Sequence, residues 1–361
     1  MKDIKILGGG LSGLTAAINL AKAGYNVDVF EKRSDCGKRF HGDLEGIENW
    51  SSKIDVMDEL NSMNIKTNFN FNPFKTVGIS DGNEIVKMTL KRPLFYIVKR
   101  GISEDTIDQN FKNQALDLGV NIHFNSKESK ENMDIISTGP SENKYIGIVR
   151  GIRFETESDD IAIALLNKTA SISGYSYLLI SNGYGCICSV NVYIDSNLVN
   201  KYFKNTYDIF TKLVDFKIKN KKNVGGVGCF LLNPRYVENG KIYTGEAAGY
   251  QDMLWGFGMR YAMISGYLAS LSIMENKNYK KLIKENISDR LKTSVVNRFL
   301  SEKGGYYVYA YLFNQAKKNL DKWEDMLYER YNPSLHYRML YPFAKRYLSK
   351  KTKLLHKNLL E

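Results

Sequence analysis

Apolar residues change period several times along this chain, and each change predicts an element. Ile4-Lys5-Ile6-Leu7 reads as a buried strand, Gly8-Gly9-Gly10-Leu11-Ser12-Gly13 interrupts it, and Leu14 to Ala23 resumes at helical spacing until Gly24 stops the helix. A second strand follows at Val27-Asp28-Val29-Phe30 and ends in Glu31. Far downstream, Lys241 to Thr244 predicts a strand running into Gly245-Glu246-Ala247-Ala248-Gly249. Tyr261 to Ser270 predicts a helix of small residues after Trp255-Gly256-Phe257-Gly258-Met259-Arg260. From Asn276 onward the chain reads as helices rich in aromatics. No apolar run reaches the roughly 18 residues of a membrane span, and the aromatic stretch Tyr306 to Phe313 is too short.

Strand, glycine turn, helix, strand and terminal acid, in that order, form a dinucleotide-binding pattern. Gly8 permits the tight turn, Gly10 lets the backbone approach a pyrophosphate, and Gly13 allows helix and strand to pack closely. Leu11 and Ser12 open the helix, whose N-terminus offers N–H groups and positive dipole to phosphates. Glu31 is placed to accept both hydroxyls of an adenosine ribose, with Lys32 and Arg39 as further cofactor contacts. This turn serves FAD and NAD alike. What points to FAD is the downstream block: Gly245 and Glu246 at a strand end can reach a ribityl hydroxyl. The backbone of Gly256, Phe257, Gly258 and Met259, at a helix start, can face the flavin pyrimidine.

These blocks resemble the glutathione-reductase-like FAD superfamily in its para-hydroxybenzoate-hydroxylase branch, and within that branch the geranylgeranyl reductase family. Lys99-Arg100-Gly101 with Thr106 to Ala115 resembles the Arg-containing turn and helix that close over FAD in the hydroxylases, which makes Arg100 a cofactor contact. The resemblance implies an α/β fold with an α+β second domain. A Rossmann-type FAD domain would take residues 1–69, 92–140 and 236–275, an antiparallel-sheet substrate domain 70–91 and 141–235, and a basic helical region 276–361. It also implies an apolar tunnel for a prenyl lipid, with Tyr175, Tyr177, Phe230 and Trp255 as aromatic candidates to line it. The expected reaction is reduction of a carbon–carbon double bond by hydride from reduced flavin. A flavin-dependent aromatic hydroxylase using NAD(P)H and oxygen is one rival, and a membrane-surface FAD protein without turnover is another. Three departures stand out: Glu246 replaces the family's Asp, Tyr177 and Ile180 replace Trp and Pro of its Tyr-x-Trp-x-Phe-Pro pattern, and His41-Gly42-Asp43 stands where many members have Cys-Gly-Glu. His41 and Asp43 are therefore candidates to supply a proton, or else they only hydrogen-bond the loop. Arg260 could anchor an anion or pair with a buried Glu246.

Composition adds less about chemistry than about location. The four cysteines, Cys36, Cys186, Cys188 and Cys229, have neither disulfide-framework nor zinc spacing, so a reducing, cytoplasmic setting and no metal are expected. Cys186-x-Cys188 would share one strand face, as small core residues, a redox pair or metal ligands in descending order of expectation. Of the net charge of +12, residues 275–361 carry +10, from 19 Lys and Arg against 9 Asp and Glu. Phe343, Tyr347, Leu348, Leu354, Leu355 and Leu359 fall on one side of a helical wheel. Lys345, Arg346, Lys350, Lys353 and Lys357 fall on the other, and Lys351 intrudes on the apolar face. Residues 343–359 thus suit an anionic membrane surface, an acidic redox-protein donor, or plain packing with the lysines in water. Nucleic acid is disfavoured because no recognition module accompanies the charge. With no second GxGxxG, the electron donor is expected to be transiently bound NADPH or a small redox protein.

Overall fold

The computed structural model describes residues 2–140, 146–318, 323–332 and 334–358. The strand Asp3–Leu7 buries Ile4, Ile6 and Leu7 and runs parallel to Asn26–Phe30, where Val27 and Val29 face the same core. The intervening helix, Leu11–Lys22, is buried along Leu11 to Leu20 because it is covered on more than one side. Its polar members are satisfied locally: Thr15 Oγ1 donates to Leu11 O at 2.6 Å, and Asn19 Nδ2 to Thr15 O at 2.9 Å. The resulting six-stranded sheet is ordered Val237–Glu238, Lys241–Tyr243, Ile135–Ile136, Asp3–Leu7, Asn26–Phe30, Asn121–His123, and only its Val237–Glu238 edge is antiparallel. The helix Met259–Met274 lies against Leu11–Lys22, and a Cβ on Gly266 would meet Ser12 O at 2.1 Å.

A seven-stranded sheet follows the order Lys219–Gly228, Gly147–Glu155, Tyr184–Val192, Tyr175–Ser181, Ile161–Leu165, Thr76–Ser80, Ile85–Thr89. It is antiparallel except where Ile161–Leu165 meets Thr76–Ser80. Period-two alternation gives it two faces. Leu178, Ile180 and Ile187 pack under the helix Val199–Leu213, around Phe210. Tyr175, Tyr177, Leu179, Cys186 and Cys188 point the other way, toward Val77, Met88 and Trp323. Leu44–Glu48, Phe95–Lys99 and Phe71–Phe74 form a three-stranded antiparallel sheet.

The C-terminal region is helical, as its periodicity predicts, over Tyr279–Asn286, Ser288–Gly304, Tyr306–Lys318, Trp323–Tyr331 and Leu335–Asn358. The apolar stripe of the last helix is not a free face. Ala344 and Leu348 are fully buried against Ser288–Gly304, with Tyr347 and Leu355 packed beside them. Phe343 and Leu354 remain exposed, at 70% and 55%. The lysine that breaks the stripe has a partner: Lys351 Nζ pairs with the buried Glu302, which also accepts Arg298 Nη2 at 2.6 Å. Leu359 and the side chain of Lys357 lie outside the described residues.

Candidate active site

The glycine turn is built by close approach. Gly8 has φ +109°, and Gly13 lies so near the strand that a Cβ there would sit 2.1 Å from Gly8 O. Gly10, by contrast, has open space where a side chain would be. Each oxygen of the Glu31 carboxylate accepts one backbone N–H, from Gly9 and from Arg33, both at 2.9 Å. This fixes the carboxylate at the turn while leaving lone pairs for a diol. Ser12 Oγ is buried with no partner among the described residues, and it opens the helix. Lys32, Arg33, Lys38 and Arg39 line the same cavity, alongside the carboxylates of Glu31, Asp35 and Glu128. The open Gly10, the orphaned Ser12 hydroxyl and the anchored Glu31 fit a dinucleotide.

That cavity has a volume of about 880 Å³. It brings together nearly all the residues singled out in the sequence: Gly8, Gly10, Leu11, Ser12, Glu31, Lys32, Arg39, Asp43, Arg100, Tyr175, Tyr177, Phe230, Gly245, Glu246 and Trp255 through Met259. Gly13 does not line it and acts through packing. His41 does not line it either: its side chain is exposed, and its contribution is a backbone N–H donated to Asp43 Oδ1 at 3.0 Å. Of the two readings of His41, this placement matches the one in which it hydrogen-bonds the loop. Asp43 faces the cavity, and burial raises its carboxyl above the usual range.

Arg100 is committed elsewhere. Its Nε and Nη2 donate to the two oxygens of buried Asp108 at 2.9 Å, and Nη1 donates to Glu45 at 2.7 Å. Asp108 Oδ2 also accepts Gly101 N–H at 2.9 Å, and the Arg100 guanidinium stacks 3.9 Å from the Phe40 ring. This cluster braces the loop that follows Glu31. Glu246 is half-buried, and desolvation raises its carboxyl, yet it holds Arg39 Nη1 at 3.6 Å and accepts Cys229 N–H at 3.1 Å. Arg260 does not pair with it. Its Nε meets Glu59 at 2.7 Å and its Nη1 lies 3.8 Å from Glu48, both on the segment that follows Leu44. A first-turn residue of one helix reached partners more than 200 positions away, which local spacing could not reveal.

The Trp255–Gly258 loop hangs on Asp252. That carboxylate is fully buried and accepts N–H from Leu254 at 2.9 Å and from Trp255 at 2.5 Å. Burial lifts it to about 6. Tyr175 Oη donates to Trp255 O at 2.7 Å, Gln251 Nε2 to Gly256 O at 2.7 Å, and Phe257 meets Trp50 edge-on at 4.7 Å. Cys186 and Cys188 are buried with sulfurs 3.4 Å apart, and they face the cavity. Asp252, Trp50, Trp323 and Leu327 were not legible as site residues. Asp252 stood only three residues before Trp255, and Trp50 and Trp323 carry no local signal at all.

A family model for the NAD(P)-binding Rossmann-like domain matches residues 6–44. No curated protein sequence matches the chain. Solved structures match it almost end to end. A geranylgeranyl bacteriochlorophyll reductase-like protein from Thermoplasma acidophilum is 18% identical over 97% of this chain and 98% of its own, with a TM-score of 0.60. A flavoprotein/dehydrogenase from Cytophaga hutchinsonii is 15% identical over 99% of both chains, with a TM-score of 0.61. The fold is that of flavin-dependent oxidoreductases. A p-nitrophenol 4-monooxygenase from Pseudomonas putida shares it at 15% identity over 92% of this chain and 99% of its own, with a TM-score of 0.60. At these identities the likeness is one of fold.

Proposed function

We propose that this protein is an FAD-dependent oxidoreductase that reduces a carbon–carbon double bond in a prenyl chain of geranylgeranyl type. The observation that carries the reading is the continuity of one cavity. It includes the glycine turn, Glu31 and the Trp255–Met259 loop, and also an apolar wall of Val77, Met88, Leu179, Trp323 and Leu327. Bound and reduced, FAD supplies the hydride. The chain's own residues do the rest. The Gly8–Ser12 turn and Lys32 and Arg39 hold the pyrophosphate, Glu31 takes the ribose diol, and Glu246 takes a ribityl hydroxyl. The apolar wall orients the double bond and excludes water. Asp43, kept protonated more readily by burial, delivers its proton to the second carbon.

The test is anaerobic. The purified protein is loaded with FAD, reduced, and mixed with a geranylgeranyl lipid. Reoxidation of the flavin with a gain of two hydrogens in the lipid is the expected result. No reoxidation and no mass gain overturn the reading. Oxygen-dependent consumption of NAD(P)H with a hydroxylated product replaces it by the hydroxylase. The electron donor follows from the same preparation, by comparing NADPH with a small acidic redox protein. Because the positive charge gathers in the last quarter, such a donor or an anionic headgroup layer would dock there; sedimentation with acidic-lipid vesicles tests the second.

A further inference from the structure

The last helix, Leu335–Asn358, packs one side on Ser288–Gly304 and leaves another side bare. Leu335, Met339 and Phe343 stand four residues apart, so they line up along the helix, and they are 71%, 65% and 70% exposed. They are not the buried stripe, which runs through Ala344 and Leu348. Single apolar side chains on a surface are ordinary, but three large ones in a row over about 12 Å of helix form a patch, and patches rimmed by charge mark interaction sites. Arg346, Lys350 and Lys353 are exposed on the same side and continue it toward the C-terminus. The charge here has one sign. Between Leu335 and Asn358 the chain has seven Lys and Arg and no Asp or Glu. Ser288–Gly304 neutralises two of the seven: Arg338 Nη2 lies 3.6 Å from Asp289, and Lys351 pairs with Glu302. Arg346, Lys350 and Lys353 have no carboxylate partner among the described residues.

We propose that the exposed side of this helix, from Leu335 to Lys353, is a docking surface for an anionic lipid bilayer. Leu335, Met339 and Phe343 enter the boundary between headgroups and acyl chains, while Arg346, Lys350 and Lys353 keep their charged ends among the headgroup phosphates. A bilayer offers the apolar layer and the negative layer side by side, in the arrangement this helix needs. A second copy of the chain suits it less, because a two-fold contact through this side sets the same unneutralised cations against each other. The helix begins four residues after Trp323–Tyr331, whose Trp323 and Leu327 line the cavity, so the docking element adjoins in sequence the wall of the substrate site. The surface rests on the lipid reading of that cavity for its use, but not on the redox chemistry for its test.

The full chain, loaded with FAD, is sedimented with vesicles of phosphatidylcholine alone and of phosphatidylcholine mixed equally with phosphatidylglycerol. The wild type should bind the mixed vesicles at least about tenfold more tightly and lose that preference in about 1 M salt, where screening is nearly complete. Leu335→Ser combined with Phe343→Ser should weaken binding to the mixed vesicles by about tenfold or more. Both side chains are exposed, so the melting temperature and FAD content of this variant should stay at wild-type values. Arg346→Gln combined with Lys350→Gln should reduce the preference for the mixed vesicles. Equal binding of the two vesicle types overturns the proposal, and so does undiminished binding by the serine variant. A wild type that binds no vesicle but dimerises through these side chains, as read by sedimentation velocity, also overturns it and assigns the side to a second copy of the chain. Vesicle binding by a protein that never reoxidises with a prenyl lipid leaves the surface standing and removes only the reductase reading. Turnover of a detergent-dispersed prenyl lipid without vesicle binding does the reverse.

Discussion

Replacing Arg100 by Met separates a brace from a cofactor contact. The variant leaves Asp108, whose side chain is 3% exposed, with Gly101 N–H as its one remaining hydrogen bond among those described for it, and frees Glu45, which is 35% exposed. Breaking a buried pair by removing one partner costs about 3–5 kcal/mol, whereas replacing both partners by apolar residues of similar size is often close to neutral. Arg100→Met should therefore destabilise the protein by about 3–5 kcal/mol, and Asp108→Leu by a similar amount. The double variant should lose far less than their sum, because neither charge is stranded; the coupling should exceed about 2 kcal/mol. At about 2.1 cal/mol/K of unfolding entropy per residue, a chain of 361 residues shifts by roughly 1.3 °C per kcal/mol, so each single variant should melt about 4–7 °C lower. The assay is chemical and thermal unfolding of the four proteins, with and without added FAD. If the two single effects simply add, the pair is not coupled and the brace is refuted. If Arg100→Met keeps its melting temperature without FAD and loses only the stabilisation FAD gives, Arg100 is a direct contact after all.

Asp252 should tilt the stability of the protein with pH. Its folded value of about 6 lies above the roughly 3.9 of an unfolded aspartate, so the native state binds the proton more tightly. Its contribution is present below about pH 4 and is lost as pH rises through 6, by roughly 2–3 kcal/mol. Asp252→Asn should flatten that slope in urea unfolding between pH 4 and 7, and parallel curves for the two proteins would contradict the assignment. Glu31→Gln should weaken FAD binding about tenfold to a hundredfold, the range for hydrogen bonds to a charged acceptor, as read by flavin fluorescence; an unchanged Kd removes Glu31 from the site. On the last helix, Leu348→Ala should cost about 2–5 kcal/mol and Phe343→Ala within about 0.5 kcal/mol, because only the first is buried. Equal effects in denaturant unfolding would show that the helix does not pack as described.

Local physics explains what was legible in the sequence. Gly8, Gly10 and Gly13 between two apolar runs specify a strand, a tight turn and a helix through backbone sterics that act within a few residues, and Glu31 follows at the end of the next strand. The same holds for the Gly245–Met259 block and for the alternating faces of Tyr175–Ser181. Side chains that act across the chain were out of reach. His41 and Asp43 are two residues apart, yet one points to solvent and the other into the cavity, because the loop is held by the distant Arg100, which pairs with Asp108 and stacks on the loop's Phe40. The last helix has amphipathic spacing broken by Lys351, but whether its apolar side meets lipid or protein depends on a complementary surface, and Ser288–Gly304 supplies one. Trp323 reached the cavity only because a helix far along the chain closes over the sheet. Sequence alone thus determined the dinucleotide turn, since turn geometry is a property of a few adjacent residues. Tertiary structure alone decided which carboxylate faces the cavity and which arginines are tied up in buried ion pairs, because those are outcomes of packing between segments as much as two hundred and more residues apart.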